Sequence, residues 1–330
     1  MTQVSSPGLD LLLPRLSLMT RSWSGDSLDP AMTIRALNPD GQQVPLFWVF
    51  NGALEAPALA DALGPDQPII AMRSLHEVVD RVTRSQSTAM DEVSEYYASQ
   101  LIDLFGLATC IVGANCQAAD IAYRVALHLI DAGVPVRRFV TLDAEMNVPL
   151  PLPVRVIFGQ ESHFNPRNKE ANALYDPNLD LRKRMFPHRE FVEAPGKHGE
   201  YFQPQNVGAL AERILADQPV TVSMPMGPGI NWRVVARAEN SITLAAAMPC
   251  APDKVDRLGV IPLLRFEGET FLMRSNCPLM IALPAMKDGM LHVELELPEQ
   301  RSGLRIKPLL CMAGHGPMTW PLRQQEDIAL

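Results

Sequence analysis

The chain has 330 residues, 47% of them hydrophobic and 20% charged, enough apolar material for one large core or two ordinary ones and too much for wholesale disorder. A formal charge of −8 speaks against a nucleic-acid partner, which would call for a basic face. No apolar run approaches the roughly 20 residues that cross a bilayer, and the five scattered cysteines fit neither a disulfide framework nor a CxxC zinc site, so reduced thiols, no metal and a cytoplasmic location are expected.

In chain order, residues 1–44 read as an N-terminal arm and connector, because Asp10, Pro14 and Arg15 break the first apolar patch. PLFWVF (45–50) is a buried strand that stops at Asn51-Gly52, and APALADALG (56–64) is a helix with a glycine stop. PIIAMRS (68–74) predicts a strand and DEVSEYYASQLIDLFG (91–106) an amphipathic helix. TCIVGA (109–114) is a strand, AADIAYRVALHLIDAG (118–133) a helix, and RRFVTLD (137–143) and PVRVIFG (153–159) are strands. EFVEAPG (190–196) predicts one more strand and VGALAERILAD (207–217) a closing helix. Strands alternating with helices imply a mostly parallel α/β sheet covered on both faces over 45–218. From 219 to 330 the helical pattern disappears. RVVARA, SITLAAAM, GVIPLLRF, TFLMR, LMIALPAM, LHVELELP and LRIKPLLCM, separated by turn residues, predict a smaller all-β domain of sandwich or barrel type.

The chemistry points to residues 114–118, Ala-Asn-Cys-Gln-Ala, at a strand-to-helix turn. A strand and a helix that meet at such a sharp turn nearly collide, so the positions two before and two after its tip must be small. Ala114 and Ala118 satisfy this, and Cys116 stands at the tip. A cysteine nucleophile needs a base, and the base needs an orienting group. Asp143 ends the next strand, on the edge where open α/β sheets build their sites, with Glu145 and Glu161 as alternative acids; His198 follows Pro195-Gly196 in the loop before the last helix. The competing view is that Cys116 is a small buried side chain at a tight corner.

Three segments, 45–74, 112–143 and 193–214, resemble the thioesterase domains of nonribosomal peptide and polyketide assembly lines, which belong to the α/β-hydrolase superfamily. The resemblance implies an α/β-hydrolase-like sheet and a Cys116–His198–Asp143 triad with cysteine in place of the usual serine. It implies an oxyanion hole made by the backbone N–H of Gln117 and of the turn Asn51, Gly52 and Ala53. It also implies no cofactor of the protein's own: the acyl group arrives on an acyl carrier protein's phosphopantetheine arm or on coenzyme A. The chain departs from the pattern in three places. Alanines replace the elbow glycines, Phe50-Asn51-Gly52 stands where a His-Gly or His-Pro pair is common, and only AEMNVPLPL separates Asp143 from the next strand, too little for the family's helical lid. A longer insertion, 161–189, comes one strand later; its run of charges reads as a solvated face, with a basic patch (Arg182, Lys183, Arg184, Arg189) meeting an acidic carrier protein as the alternative.

Three functions are therefore in play: a thioesterase or acyltransferase; a catalytically inactive hydrolase-fold protein that binds or assembles; and an ordinary esterase or peptidase. The β domain is a candidate for a protein partner or self-association. Cys110, Cys250, Cys277 and Cys311 are expected to be packing residues, His292 a facing strand residue, and His315 a loop residue with no evident partner.

Overall fold

The apolar runs of the first two-thirds of the chain become adjacent strands of one twisted sheet. The computed structural model describes residues 8–79, 87–144, 152–165, 168, 189–216, 230–247, 255–266, 285–297, 303–314, 319–323 and 328–329, and its elements separate into two compact units.

The first unit contains β1 (Asp26–Ser27), β2 (Ile34–Leu37), β3 (Leu46–Phe50), β4 (Ile69–Arg73), β5 (Cys110–Asn115), β6 (Val136–Leu142), β7 (Val154–Gly159) and β8 (Arg189–Ala194). They lie in the order β1-β2-β4-β3-β5-β6-β7-β8. The pairs from β4 through β8 are parallel, and β1 and β2 are added antiparallel at one edge. Its helices are α1 (Leu9–Thr20), α2 (Glu55–Leu63), α3 (Ser87–Phe105), α4 (Ala119–Ala132) and α5 (Pro204–Leu215).

Alternation along β3 shows both faces to be covered. Leu46, Trp48 and Phe50 enter a cluster with Leu59 of α2 and Leu210 and Ile214 of α5, whereas the Phe47 ring lies 5.2 Å from Phe105 at the end of α3. Burying each such side chain contributes about 1.5–3 kcal/mol. Trp48 also explains Gly113 on the neighbouring strand: a Cβ there would run into the indole ring and approach the Val140 carbonyl oxygen to 2.9 Å.

Residues 9–37 correct the expectation of an arm. α1 runs through Pro14, and β2 is buried at all four positions against β4, pairing Ile34 with Met72 and Leu37 with Ile69. Asp29 holds the bend before β2 by accepting from the backbone N–H of Thr33 (2.7 Å) and Ile34 (2.8 Å), and from Tyr96 Oη (2.7 Å) on α3. A four-residue strand carrying an arginine gives too weak an apolar signal to be read without its partner.

The second unit is antiparallel. One sheet has the order β12 (Ala285–Lys287), β13 (Met290–Glu296), β10 (Ser241–Ala247), β9 (Arg233–Arg237). The other pairs β11 (Val255–Phe266) with β14 (Leu304–Gly314), which also pairs β15 (Thr319–Arg323) and β16 (Ile328–Ala329). Ile242, Leu244 and Ala246 face Leu291, Val293 and Leu295 in one core, joined by Val260 and Ile306 of the other sheet. Alternate positions of two sheets therefore share an interior, as in a sandwich. His292 lies on β13 opposite Ala245. Cys250, Cys277 and His315 lie outside the described residues.

Candidate active site

β3 leads to β4 on one side and β5 returns on the other, so the strand order reverses between β3 and β5. The carboxyl ends of these two strands are thus a topological switch point, the place where open α/β sheets put their sites. Cys116 follows β5 and Asn51 follows β3.

Asn115 is still extended (φ −113°), but Cys116 turns to φ +50°, in the left-handed region that costs a non-glycine residue about 1–3 kcal/mol. A one-turn 3₁₀ segment (Cys116–Ala118) then leads into α4. Ala114 and Ala118 are completely buried, as a crowded strand–helix corner demands. The abrupt reversal leaves the Cys116 side chain half-buried at this end of the sheet. Cys110, earlier on the same strand, is sealed in the core, and burial pushes its thiol up to about 12.

Cys116 Sγ lies 3.9 Å from His198 Nε2, and His198 Nδ1 lies 2.9 Å from Asp143 Oδ2. The imidazole is 34% exposed and the Asp143 carboxylate is fully buried. Asp143 also has a left-handed backbone (φ +52°) and accepts three further hydrogen bonds: from Ser162 Oγ (2.9 Å), from Tyr201 Oη in a short contact, and from the Gly159 N–H (3.4 Å). Since these neighbours donate to Asp143, the His198 Nδ1 proton points to the carboxylate and Nε2 is the acceptor facing sulfur. Burial, followed by the adjacent carboxylate, raises the Tyr201 phenol, so it stays protonated and donates. Gly159 makes room for it: a Cβ there would strike Tyr201 Oη and the Gly196 carbonyl oxygen.

The expected residues thus come together at Cys116, His198 and Asp143. Of the alternative acids, Glu161 is exposed and Glu145 lies outside the described residues. Ser162, Tyr201 and Gly159 were missed, for no motif marks them. Phe164, 38% exposed, packs its ring 4.9 Å from the His198 ring, and His163 lies 5.4 Å from it. Most of the 161–189 insertion, with Arg182, Lys183 and Arg184, lies outside the described residues.

In the turn after β3 the expected donors Asn51 and Gly52 already have a partner. Their N–H groups both donate to Glu55 Oε2, at 2.8 and 2.9 Å, instead of pointing at an open position. Asn115 Nδ2 donates to the same carboxylate at 3.2 and 3.3 Å. Burial raises the Glu55 carboxyl above its ordinary range; these hydrogen bonds and the Arg73 charge oppose that rise. The turn is also tied to the elbow, because Asn51 Nδ2 donates to the Asn115 carbonyl (2.8 Å) and Ser74 Oγ donates to Asn51 Oδ1 (2.6 Å).

Among the described residues, no cluster of His, Cys, Asp and Glu could hold a metal ion, and no helix is long and apolar enough to cross a membrane. No protein-family model and no curated protein matches the chain. Among solved structures it is similar to the NocB thioesterase domain in covalent complex with a fluorophosphonate nocardicin G analog (13% identity, 55% of this chain, 97% of that one, TM-score 0.42). It is also similar to the SrfTE thioesterase domain, connected with cyclization of the lipopeptide antibiotic surfactin (13%, 58% and 98%, 0.41). A third is a four-domain nonribosomal peptide synthetase bound to AMP and glycine (14%, 57% and 20%, 0.43).

Proposed function

We propose that the chain is a cysteine-dependent thioesterase or acyltransferase of α/β-hydrolase type, acting on an acyl thioester carried by a phosphopantetheine arm or coenzyme A. The observation that carries this is the unbroken line from Cys116 Sγ through both ring nitrogens of His198 to the buried Asp143 carboxylate. His198 Nε2 takes the Cys116 proton, and Asp143 holds the ring and stabilises the imidazolium. The thiolate attacks the thioester carbonyl, and the Gln117 N–H together with one from the 51–53 turn holds the oxyanion. Collapse breaks the donor C–S bond; the departing thiol takes the proton from His198, and the acyl group remains on Cys116. Water, an amine or an alcohol then attacks, with His198 again as base. Thiol-to-thiol transfer is close to isoenergetic, so the acyl-cysteine stays activated toward amines and alcohols. Residues 219–330 serve this domain as an accessory module.

Intact-mass measurement after incubation with hexanoyl-coenzyme A tests this. A hexanoyl adduct on Cys116, absent in Cys116→Ala, is expected; turnover with no adduct rejects the mechanism. One observation favours a second reading, a hydrolase-fold binding module without turnover: Glu55 occupies two of the amides an oxyanion would use. Neither adduct nor thioester turnover in folded wild type would support it.

A further inference from the structure

We infer that Glu55 is the internal occupant of the oxyanion turn, so that acyl transfer at Cys116 proceeds only when this carboxylate leaves the Asn51 and Gly52 amides. The inference rests on Cys116 being the nucleophile.

Two consecutive N–H groups converging on a single oxygen make an anion site, and it lies one hydrogen bond from Asn115, the residue before Cys116. The occupant is a carboxylate oxygen, the same kind of group as the oxyanion of a tetrahedral intermediate. While Glu55 Oε2 holds both amides, only Gln117 and Ala53 remain of the expected donors. A second negative charge cannot be added beside the first without like-charge repulsion.

A structural brace would look much the same at the carboxylate, but this turn does not need one. Three bonds independent of Glu55 fix its position: Asn51 Nδ2 to the Asn115 carbonyl, Ser74 Oγ to Asn51 Oδ1, and the Ser74 N–H to the Phe50 carbonyl (2.9 Å). The Glu55 side chain lies folded over Gly52, and its own atoms are the nearest neighbours of a Cβ placed there, at 3.5–3.6 Å. The neighbouring turn residues Ala53 and Leu54 are exposed, Leu54 to 83%, and Glu55 itself is half-buried, so the turn that holds the carboxylate borders solvent. Departure would free the two amides and leave the turn in place.

The test compares wild type, Glu55→Ala and Glu55→Gln by the rate at which hexanoyl-coenzyme A acylates Cys116, read by intact mass. Iodoacetamide alkylation, which forms no oxyanion, controls for thiolate reactivity, and thermal melting controls for folding. One oxyanion donor is worth roughly 10²–10³-fold, so Glu55→Ala is expected to acylate at least about tenfold faster. Glu55→Gln, whose neutral oxygen accepts more weakly, falls between it and wild type, with alkylation unchanged in both. Equal or slower acylation in folded Glu55→Ala and Glu55→Gln overturns the inference and makes Glu55 a brace. No acylation in any variant overturns the nucleophile as well.

Discussion

Two carboxylates flank Cys116, and they are held in opposite ways. Asp143 is saturated with donors from β7, the following loop and the histidine loop, so its charge is fixed where a developing imidazolium needs it. Glu55 takes its donors from the backbone that the reaction itself would use, and burial works against its charge. The acid flank is preorganised, whereas the oxyanion flank is preoccupied. In the proposed acyl transfer the base side and the oxyanion side are built by different loops, so a complete base side does not by itself make the site fast.

The sharpest way to break the comparison is to remove the acid flank. His198→Ala or Asp143→Asn should lower thioester turnover by about 10⁴-fold, the asparagine by favouring the wrong histidine tautomer; steady-state kinetics checks this. Gly159→Ala comes next. Its methyl group must displace Tyr201 or the Gly196 carbonyl, which at about 1–3 kcal/mol of overpacking should lower the melting temperature and reduce kcat at unchanged KM. Tyr201→Phe keeps the ring and removes one donor, leaving the Gly159 N–H without its phenolic acceptor. A fall in kcat of about tenfold, with KM steady, corresponds to a lost hydrogen bond of about 1–1.5 kcal/mol.

A separate effect, on stability and not on turnover, concerns a third carboxylate, a yardstick for both. Asp91 on α3 pairs with Arg124 on α4, but burial outweighs that partner and pushes its carboxyl up to about 7, and its Oδ2 has no hydrogen bond. It lacks the donors that Asp143 has. The unfolded chain ionises it near 3.8, so folding stability should decline as pH rises from about 4 to 7. Asp91→Asn should flatten that part of the profile, as melting temperatures across the range would show.

Much of this was legible in the sequence because it is local. Apolar runs between turn residues give β3 to β7, and Ala114, Ala118 and the order Cys116, Asp143, His198 mark the elbow and its partners. What escaped depends on contacts across the fold. Ile34–Leu37 is a strand only beside β4, and Pro14 sits inside a helix. Glu55 reads as an ordinary first-turn acid until the bend that precedes it is seen to point two amides back at it. Tyr201 and Ser162 carry no motif, since any hydroxyl reaching Asp143 would serve.

The sequence separation within the triad has a consequence for synthesis. Cys116 and His198 are 82 positions apart, and β6, β7 and β8 must be laid down between them. A chain emerging from the ribosome presents its thiol long before its base exists. Until the histidine loop closes over β7, that thiol has no neighbour to withdraw its proton and competes poorly for activated acyl groups. Under the proposed function, general-base assistance at Cys116 is thus timed to the completion of the sheet.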